Sequence, residues 1–209
     1  RPILLGKDIK RYKFEWDQKW ILFTRRGIEI SLYPAIEEYL YQYYEDLRPR
    51  NNGELTGRKP GPYKWYEIQD NVAYFEEFEG PKIAWGNLAL RSQFAFIPEG
   101  YYINAPSSFI GTDNLFLLAL LNSKVGNFYI KQLGVSRKGG YIEYKPMFVE
   151  QLPVPDISAE QQDFFIEAVR HLLTAQNDAE RQILEQNIDN EVYKLYDFNT
   201  EEVNCILSV

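Results

Sequence analysis

Several kinds of site are excluded because the sequence lacks the residues that they need. The 209 residues include one cysteine, Cys205, and one histidine, His171. This scarcity rules out a disulfide framework and a cysteine-based metal site, and it leaves little support for a histidine-based metal cluster or catalytic triad. The longest apolar run near the middle, residues 115–121, is far shorter than a membrane span, and no signal peptide is visible. We therefore expect a protein of the reducing cytoplasm that has no membrane partner.

Methionine and nucleotide-binding motifs are equally scarce. The single methionine, Met147, is internal, so residue 1 is not an initiator and we expect the sequence to be part of a longer chain. Neither G-x-x-x-x-G-K-[ST] nor G-x-G-x-x-G occurs, which disfavours nucleotide-dependent chemistry in this chain.

Negative charge is concentrated at the C-terminal end. The formal net charge is −7, which by itself disfavours a nucleic-acid partner. However, residues 1–149 contain 20 Lys and Arg against 17 Asp and Glu, whereas residues 150–209 contain 3 against 13. This distribution predicts a mildly basic body and an acidic helical end that faces away from DNA or packs on another protein.

Hydrophobic periodicity predicts an α+β fold in which short strands alternate with helices. The expected strands lie near residues 28–32, 83–85, 92–97, 101–104 and 141–148. A helix is expected from Pro34 to about residue 48, because proline suits the first helical position. Another is expected from a cap at Thr112 or Asp113 to Gly134, which would end it in the left-handed conformation.

The last third of the sequence is predicted to be helical. Ser158 and Gln161 have the spacing of a capping box and predict the start of a helix. Asn199 or Thr200 is expected to cap a final short helix, with Glu202 at capping-box spacing from Asn199.

A basic, glycine-rich loop at residues 136–141 is the best candidate binding segment. Ser136, Arg137, Lys138 and Gly139 combine cations that neutralise phosphates or read guanine edges with backbone that can approach a polyanion closely. Lys124 is a further candidate for phosphate contact. The alternative is a solvated surface hairpin with no ligand.

Two other segments have side chains suited to DNA. Asn87, Arg91 and Gln93 can each make paired hydrogen bonds to base edges, although the same residues also suit a plain polar turn between strands. Residues 48–64 contain three glycines, three prolines and five Lys or Arg, which predicts a loop. This loop could reach a groove through its basic residues Arg58, Lys59 and Lys64, or it could be an ordinary mobile loop.

One pattern suggests chemistry rather than binding. Glu143 and Lys145 form the E-x-K half of a restriction nuclease site, which needs a second acid to share a divalent metal. Asp113 is the only acid between Glu99 and Glu143, and it is expected at a helix start. A metal-dependent nuclease is therefore a minor alternative.

The order of several short motifs resembles a known family. These are RPILLGKDIKRY at 1–12, PKIAWGNLALRSQFAF at 81–96, GYYINAPSSFI at 100–110, and then LLALLNSK, NFY, GGYIEYK, LPVP and EQQ. Together they resemble the TaqI-like C-terminal specificity domain over roughly residues 1–175 and, more distantly, the recognition domains of type I specificity subunits. The resemblance implies a target recognition domain at residues 1–156, with a mixed sheet and packed helices, and a helical C-terminal appendage at 157–209.

The resemblance also implies a function and partners. It implies sequence-specific recognition of duplex DNA by a non-catalytic part of a restriction–modification enzyme or adenine-specific DNA methyltransferase, with or without endonuclease activity. The Asn-Pro-Pro-aromatic signature of such a methyltransferase is absent here, so S-adenosylmethionine, and magnesium if the parent cleaves DNA, would bind elsewhere. The acidic tail would pack on the catalytic domain or on a partner chain. A protein-interaction module that uses this tail is the other alternative.

Overall fold

Residues 1–208 are described by a computed structural model, and they divide into two compact units. Unit 1 comprises Arg1 and residues 20–76, and unit 2 comprises residues 2–19 and those from 77 onward. The predicted boundary after residue 156 does not coincide with this division, because the helices beyond it belong to unit 2. Across residues 1–208, no helix combines the length and the hydropathy needed to cross a membrane.

Unit 1 contains two short helices, α1 (Pro34–Tyr41) and α2 (Tyr44–Leu47). The predicted helix start at Pro34 is confirmed, and helical structure ends before Arg48 as expected. The strand predicted at residues 28–32 is wrong, since Ile30–Leu32 forms a 3-10 helix. Ile30 is buried there but Leu32 is 72% exposed, so the alternating apolar residues do not share one buried face.

Unit 2 contains three small sheets rather than one mixed sheet. Its strands are β1 (Ile3–Leu4), β2 (Lys82–Trp85), β3 (Leu88–Ala89), β4 (Phe94–Ile97), β5 (Tyr102–Ile103), β6 (Ser108–Ile110) and β7 (Ile142–Glu143). The antiparallel order β4-β2-β6 forms the largest sheet, β1 pairs with β5 in parallel, and β3 pairs with β7 antiparallel. The strands expected near 83–85, 92–97 and 101–104 are thus confirmed as β2, β4 and β5.

The helices of unit 2 supply most of its core, and α3 packs against β4. They are α3 (Leu115–Asn122), α4 (Lys124–Leu133), α5 (Pro146–Val149), α6 (Ala159–Thr174), α7 (Asp178–Leu195) and α8 (Thr200–Leu207). The strand expected over residues 141–148 is confined to β7, because Pro146 begins α5 instead of interrupting a strand. The α+β class is confirmed.

The helix predicted from Thr112 or Asp113 to Gly134 is two helices, α3 and α4. Asn114 is the actual cap, and its side-chain oxygen accepts the N–H of Leu117 at 2.9 Å. Ser123 separates the helices with extended backbone, and its hydroxyl accepts the N–H of Gly126 at 3.0 Å. Gly134 ends α4 at φ −72, so the predicted left-handed conformation is wrong.

The acidic C-terminal helices are integral to unit 2. Helix α6 packs along α3, and α7 packs against α6 and α4. Their apolar faces join one core, which includes Phe165, Val169, Leu172, Ile188 and Val192. The capping boxes at Ser158 and Asn199 are both confirmed. Most of their acidic residues therefore lie on the outer faces of helices whose inner faces are already buried, whereas Asp189 of α7 is itself buried.

The N-terminal segment is also tied into unit 2. The N–H of Tyr12 donates to the Phe94 carbonyl at 2.8 Å. Arg11 donates from Nε to the Glu185 carboxylate at 2.9 Å and from Nη1 to the carbonyls of Ser92 and Asn122. Residues near the start of the chain thus bind strand β4, helix α3 and helix α7 together.

Candidate nucleic-acid interface

Two predicted binding segments that lie far apart in the sequence are joined by the β3–β7 pair. Leu88 pairs with Glu143 and Ala89 with Ile142, and the N–H of Tyr144 donates to the carbonyl of Asn87 at 2.8 Å. Residues 87–93 and 136–141 therefore lie at the same two-stranded ribbon. Nothing local in the sequence shows this pairing, because it depends on contacts across more than fifty residues.

The basic loop is a tight hairpin at the end of this ribbon. Ser136 bridges to Ile142, and the N–H of Arg137 donates to the carbonyl of Tyr141 at 2.7 Å. Gly139 and Gly140 have φ values of +83° and +79°, which glycine adopts without steric cost. The turn therefore needs both glycines, and it leaves residues 136–141 exposed to solvent, Lys138 included.

Glu143 is held between two cations on the ribbon. Arg137 donates from Nε and Nη2 to Oε1 of Glu143 at 2.9 and 2.7 Å, and Nζ of Lys145 lies 3.1 Å from Oε2. The hydrogen bonds from Arg137 and then Lys145 lower the pKa of Glu143. The carboxylate is therefore a charged partner of these cations.

This arrangement disfavours the nuclease alternative. Both oxygens of Glu143 already have a cationic partner. Within residues 1–208, no three acidic, histidine or cysteine side chains lie together as a metal site. The E-x-K pattern thus has a different use here: it pairs a carboxylate with a lysine two residues later on the same face of the chain.

An open groove of about 490 Å³ borders the ribbon. Lys7 and Lys10 line one part of it, and Asn87, Gln93 and Tyr141 line another. The predicted Asn87 and Gln93 therefore share a concave surface with two lysines. The groove is far too small for a duplex, but its volume suits the edge of a base pair or one phosphate with its sugar.

Lys7 and Lys10 are not among the residues that the sequence predicts to bind DNA, because RPILLGKDIKRY has the local pattern of a strand and a turn. A Cβ on Gly86 would lie 3.3 Å from the carbonyl oxygen of Gly6, so the two chains approach closely at a pair of glycines. The usable signal was the cluster of Lys7, Lys10 and Arg11 beside Gly6.

A second cleft continues from the groove and contains Arg91. Lys10 and Gln93 line both depressions, and the second also includes Lys13 and Arg181. Two acids of α7, Asp178 and Glu185, line it as well. Arg91 is thus close to the groove, but in surroundings of mixed charge.

Lys124 is engaged by the C-terminal helices. Its N–H donates to Oδ1 of Asp189 at 2.8 Å, and its Nζ lies 3.8 Å from Oδ2. Asp189 is 3% exposed; burial raises its pKa, against the opposing effect of the Lys124 N–H. The carboxylate therefore satisfies the N-terminus of α4. Phosphate contact by Lys124 stays a prediction, and its ammonium already faces an anion.

The three candidates in unit 1, Arg58, Lys59 and Lys64, lie in one loop, and contacts made by Arg58 order this loop. Arg58 donates from Nη2 to the carbonyls of Trp65 and Glu67 at 3.0 and 2.8 Å, and its guanidinium lies 4.7 Å from the ring centre of Tyr63. Lys59 and Lys64 are exposed. DNA contact by all three stays a prediction. The guanidinium of Arg58 already binds backbone carbonyls within unit 1.

Comparisons with known proteins agree with the resemblance seen in the sequence. The model of the TaqI-like C-terminal specificity domain matches residues 1–154, and no curated protein matches the chain. The solved structure of the type IIL restriction-modification enzyme MmeI in complex with DNA is similar in fold, with a TM-score of 0.67 at 16% sequence identity. That similarity covers 99% of this chain and 30% of the MmeI chain. Because the family model covers well over half of the 209 residues, this chain belongs to the family of TaqI-like C-terminal specificity domains.

Proposed function

We propose that unit 2 recognises a short word in duplex DNA through the groove and the tip of the β3–β7 ribbon. The observation that carries this proposal is the β3–β7 pairing itself. It places the amides of Asn87 and Gln93 beside a hairpin that bears Arg137 and Lys138. A two-stranded ribbon has the width that the major groove of DNA admits.

Each group has a role that its chemistry suits. The amides of Asn87 and Gln93 can make the paired hydrogen bonds that identify adenine, and Arg137 has the fork that fits guanine or a phosphate. Lys10 and Lys138 supply point charges for phosphates. Leu88 and Leu90 are each 51% exposed next to these polar groups, where an apolar side chain can contact a thymine methyl.

The parent protein and its cofactors belong to the same proposal. We infer that this domain serves an adenine-specific DNA methyltransferase, with or without cleavage activity, whose catalytic region binds S-adenosylmethionine and, for cleavage, magnesium. The support is the family membership and the fold shared with a much longer restriction-modification enzyme. A cytoplasmic location is part of the same proposal.

The acidic helical end is proposed to bind the catalytic region or a partner chain. Its supporting features are the excess of acids after residue 150 and the exposed apolar side chains of Phe164, Ile183 and Leu207. Acidic helices repel phosphates, so a protein partner suits this surface better than DNA does.

A salt series tests DNA binding by the 209-residue chain. Binding of a random duplex is compared for the wild type, for Lys10→Ala/Lys138→Ala and for the control Arg170→Ala/Lys194→Ala, which removes two cations from the acidic helices. If both lysines contact phosphates, the first variant binds more weakly and its slope of log K against log salt falls by about 1.8. The control should match the wild type. Absence of wild-type binding at about 50 mM salt, or equal slopes in all three, refutes the proposal.

Selection from a random duplex library tests base recognition. Asn87→Ala and Gln93→Ala should each relax one position of the selected word by about 1–3 kcal/mol. The matched control, Gln186→Ala, removes an exposed amide from α7 and should leave the word unchanged. An unchanged word in the first two variants would exclude these side chains from readout.

A further inference from the structure

An acid in the middle of a surface that binds DNA needs a physical explanation. Glu143 lies on β7, in the ribbon whose hairpin carries Arg137 and Lys138. A negative charge there weakens the attraction to phosphates. Its side chain is 10% exposed, whereas those of Arg137 and Lys145 are 52% and 45% exposed. The carboxylate is thus tucked beneath two cations that still face solvent.

The backbone dictates this arrangement. Glu143 and Lys145 are two residues apart, so extended chain directs both side chains to the same face. The hairpin folds Arg137 back over that face, because Ser136 bridges to Ile142. Two N–H groups of Arg137 then meet one oxygen of the carboxylate and Lys145 meets the other. One anion therefore fixes the positions of two cations from opposite arms of the hairpin.

Fixing these side chains has two consequences for a DNA partner. Arginine and lysine lose rotamer freedom when they bind, and side chains that are held beforehand lose less. The carboxylate also cancels one positive charge, so phosphates in an arbitrary position are attracted less strongly. The first effect favours DNA whose groups match the fixed geometry, and the second disfavours all other DNA.

We propose that Glu143 is a positioning residue that sets the ratio of specific to non-specific DNA affinity by holding Arg137 and Lys145 as a fixed pair. This inference rests on the proposed function. It assigns to the E-x-K pattern a role in selectivity rather than in metal-dependent cleavage.

The test compares two duplexes across a salt series. One is the duplex that the wild type selects from a random library, and the other has the same length and composition in scrambled order. Glu143→Gln keeps the shape and one acceptor oxygen but removes the charge. It should bind the scrambled duplex several-fold more tightly, with a slope that is steeper by up to about one unit. The ratio of its affinity for the selected duplex to its affinity for the scrambled duplex should be at least about tenfold lower than in the wild type.

Two further variants separate positioning from simple charge or folding effects. Glu150→Gln removes one exposed acid that follows α5 and should leave the ratio unchanged. Arg137→Lys keeps the charge but loses the two-donor contact, so the slope should persist while the ratio falls. Thermal unfolding of each variant shows whether the domain remains folded.

The possible results are distinct. Binding by the wild type together with an unchanged ratio in Glu143→Gln overturns this inference alone. Equal losses for both duplexes, in step with a lower melting temperature, also overturn it, because they indicate a purely structural salt bridge. Absence of DNA binding by the wild type overturns the proposed function and this inference with it.

Discussion

Replacement of the buried Asn122 by alanine should destabilise unit 2 more than the same replacement of an exposed asparagine would. Asn122 is 1% exposed and lies at the end of α3. Its Oδ1 accepts the N–H of Phe94 at 3.0 Å, and its Nδ2 donates to the Phe94 carbonyl at 2.9 Å. The side-chain amide thus makes the two hydrogen bonds with Phe94 that a neighbouring strand would make at this edge of β4.

The expected cost follows from the groups that lose partners in Asn122→Ala. The Phe94 N–H becomes a buried donor without an acceptor, which costs about 1–3 kcal/mol. The Phe94 carbonyl keeps the N–H of Tyr12, so its loss is one ordinary hydrogen bond of about 0.5–1.5 kcal/mol. We therefore expect the free energy of unfolding to fall by about 1.5–4.5 kcal/mol.

Urea denaturation and hydrogen exchange measure this loss. Asn190→Ala is the control, because Asn190 is an exposed amide on α7, and its change should stay within about 0.5 kcal/mol. Exchange of the Phe94 amide should accelerate in Asn122→Ala and not in the control. A loss below about 1 kcal/mol, or unchanged protection of that amide, would refute the reasoning.

Three further outcomes concern stability. Lys82 is fully buried and donates to the Phe78 carbonyl at 2.9 Å, and burial lowers its pKa from 10.5 to about 8. The unfolded chain therefore binds more protons between these pH values, so stability rises across that window. Lys82→Met should be more stable than the wild type at pH 7 by up to about 3 kcal/mol, with the advantage shrinking towards pH 10 in urea titrations; an advantage that is constant with pH would contradict this. Ser158→Ala removes a cap and should cost about 1 kcal/mol in the same assay, and no loss would show that the box is dispensable. Gly126→Ala should cost at least about 2 kcal/mol, because its Cβ would lie 2.2 Å from the Leu120 carbonyl oxygen; a normal urea midpoint would show that the α3–α4 junction can relax.

Local signals in the sequence predicted local structure well. Pro34, Ser158 and Asn199 start helices where their capping chemistry indicated, because those contacts lie within a few residues of each other. Local signals do not predict the break at Ser123, because it depends on the close approach of Gly126 to the preceding turn. A long apolar run by itself suggests one continuous helix.

The candidate interface was only partly predictable for a related reason. The chemistry of Asn87, Gln93 and Lys138 is visible in the sequence, but the β3–β7 pairing that gathers these residues is not. The contacts of Arg58 and Lys124 within the domain could not be predicted from residue type either. A cation that is bound to protein groups and a cation that is free to bind phosphate are the same residue in the sequence. Residue type indicates what a side chain can bind, and only the fold shows which partner is present.

The long-range contacts made by the N-terminal segment affect the order and the rate in which unit 2 folds. Strand β1 pairs with β5 about one hundred residues later, and Arg11 meets Glu185 across 174 positions. Contacts between residues so distant in sequence slow folding, because the chain must close long loops before those contacts form. A ribosome must also release the α7 segment before Arg11 finds its carboxylate. Unit 2 should therefore complete its folding late and as a whole, and the first residues of the chain should be among the last to become protected from solvent exchange.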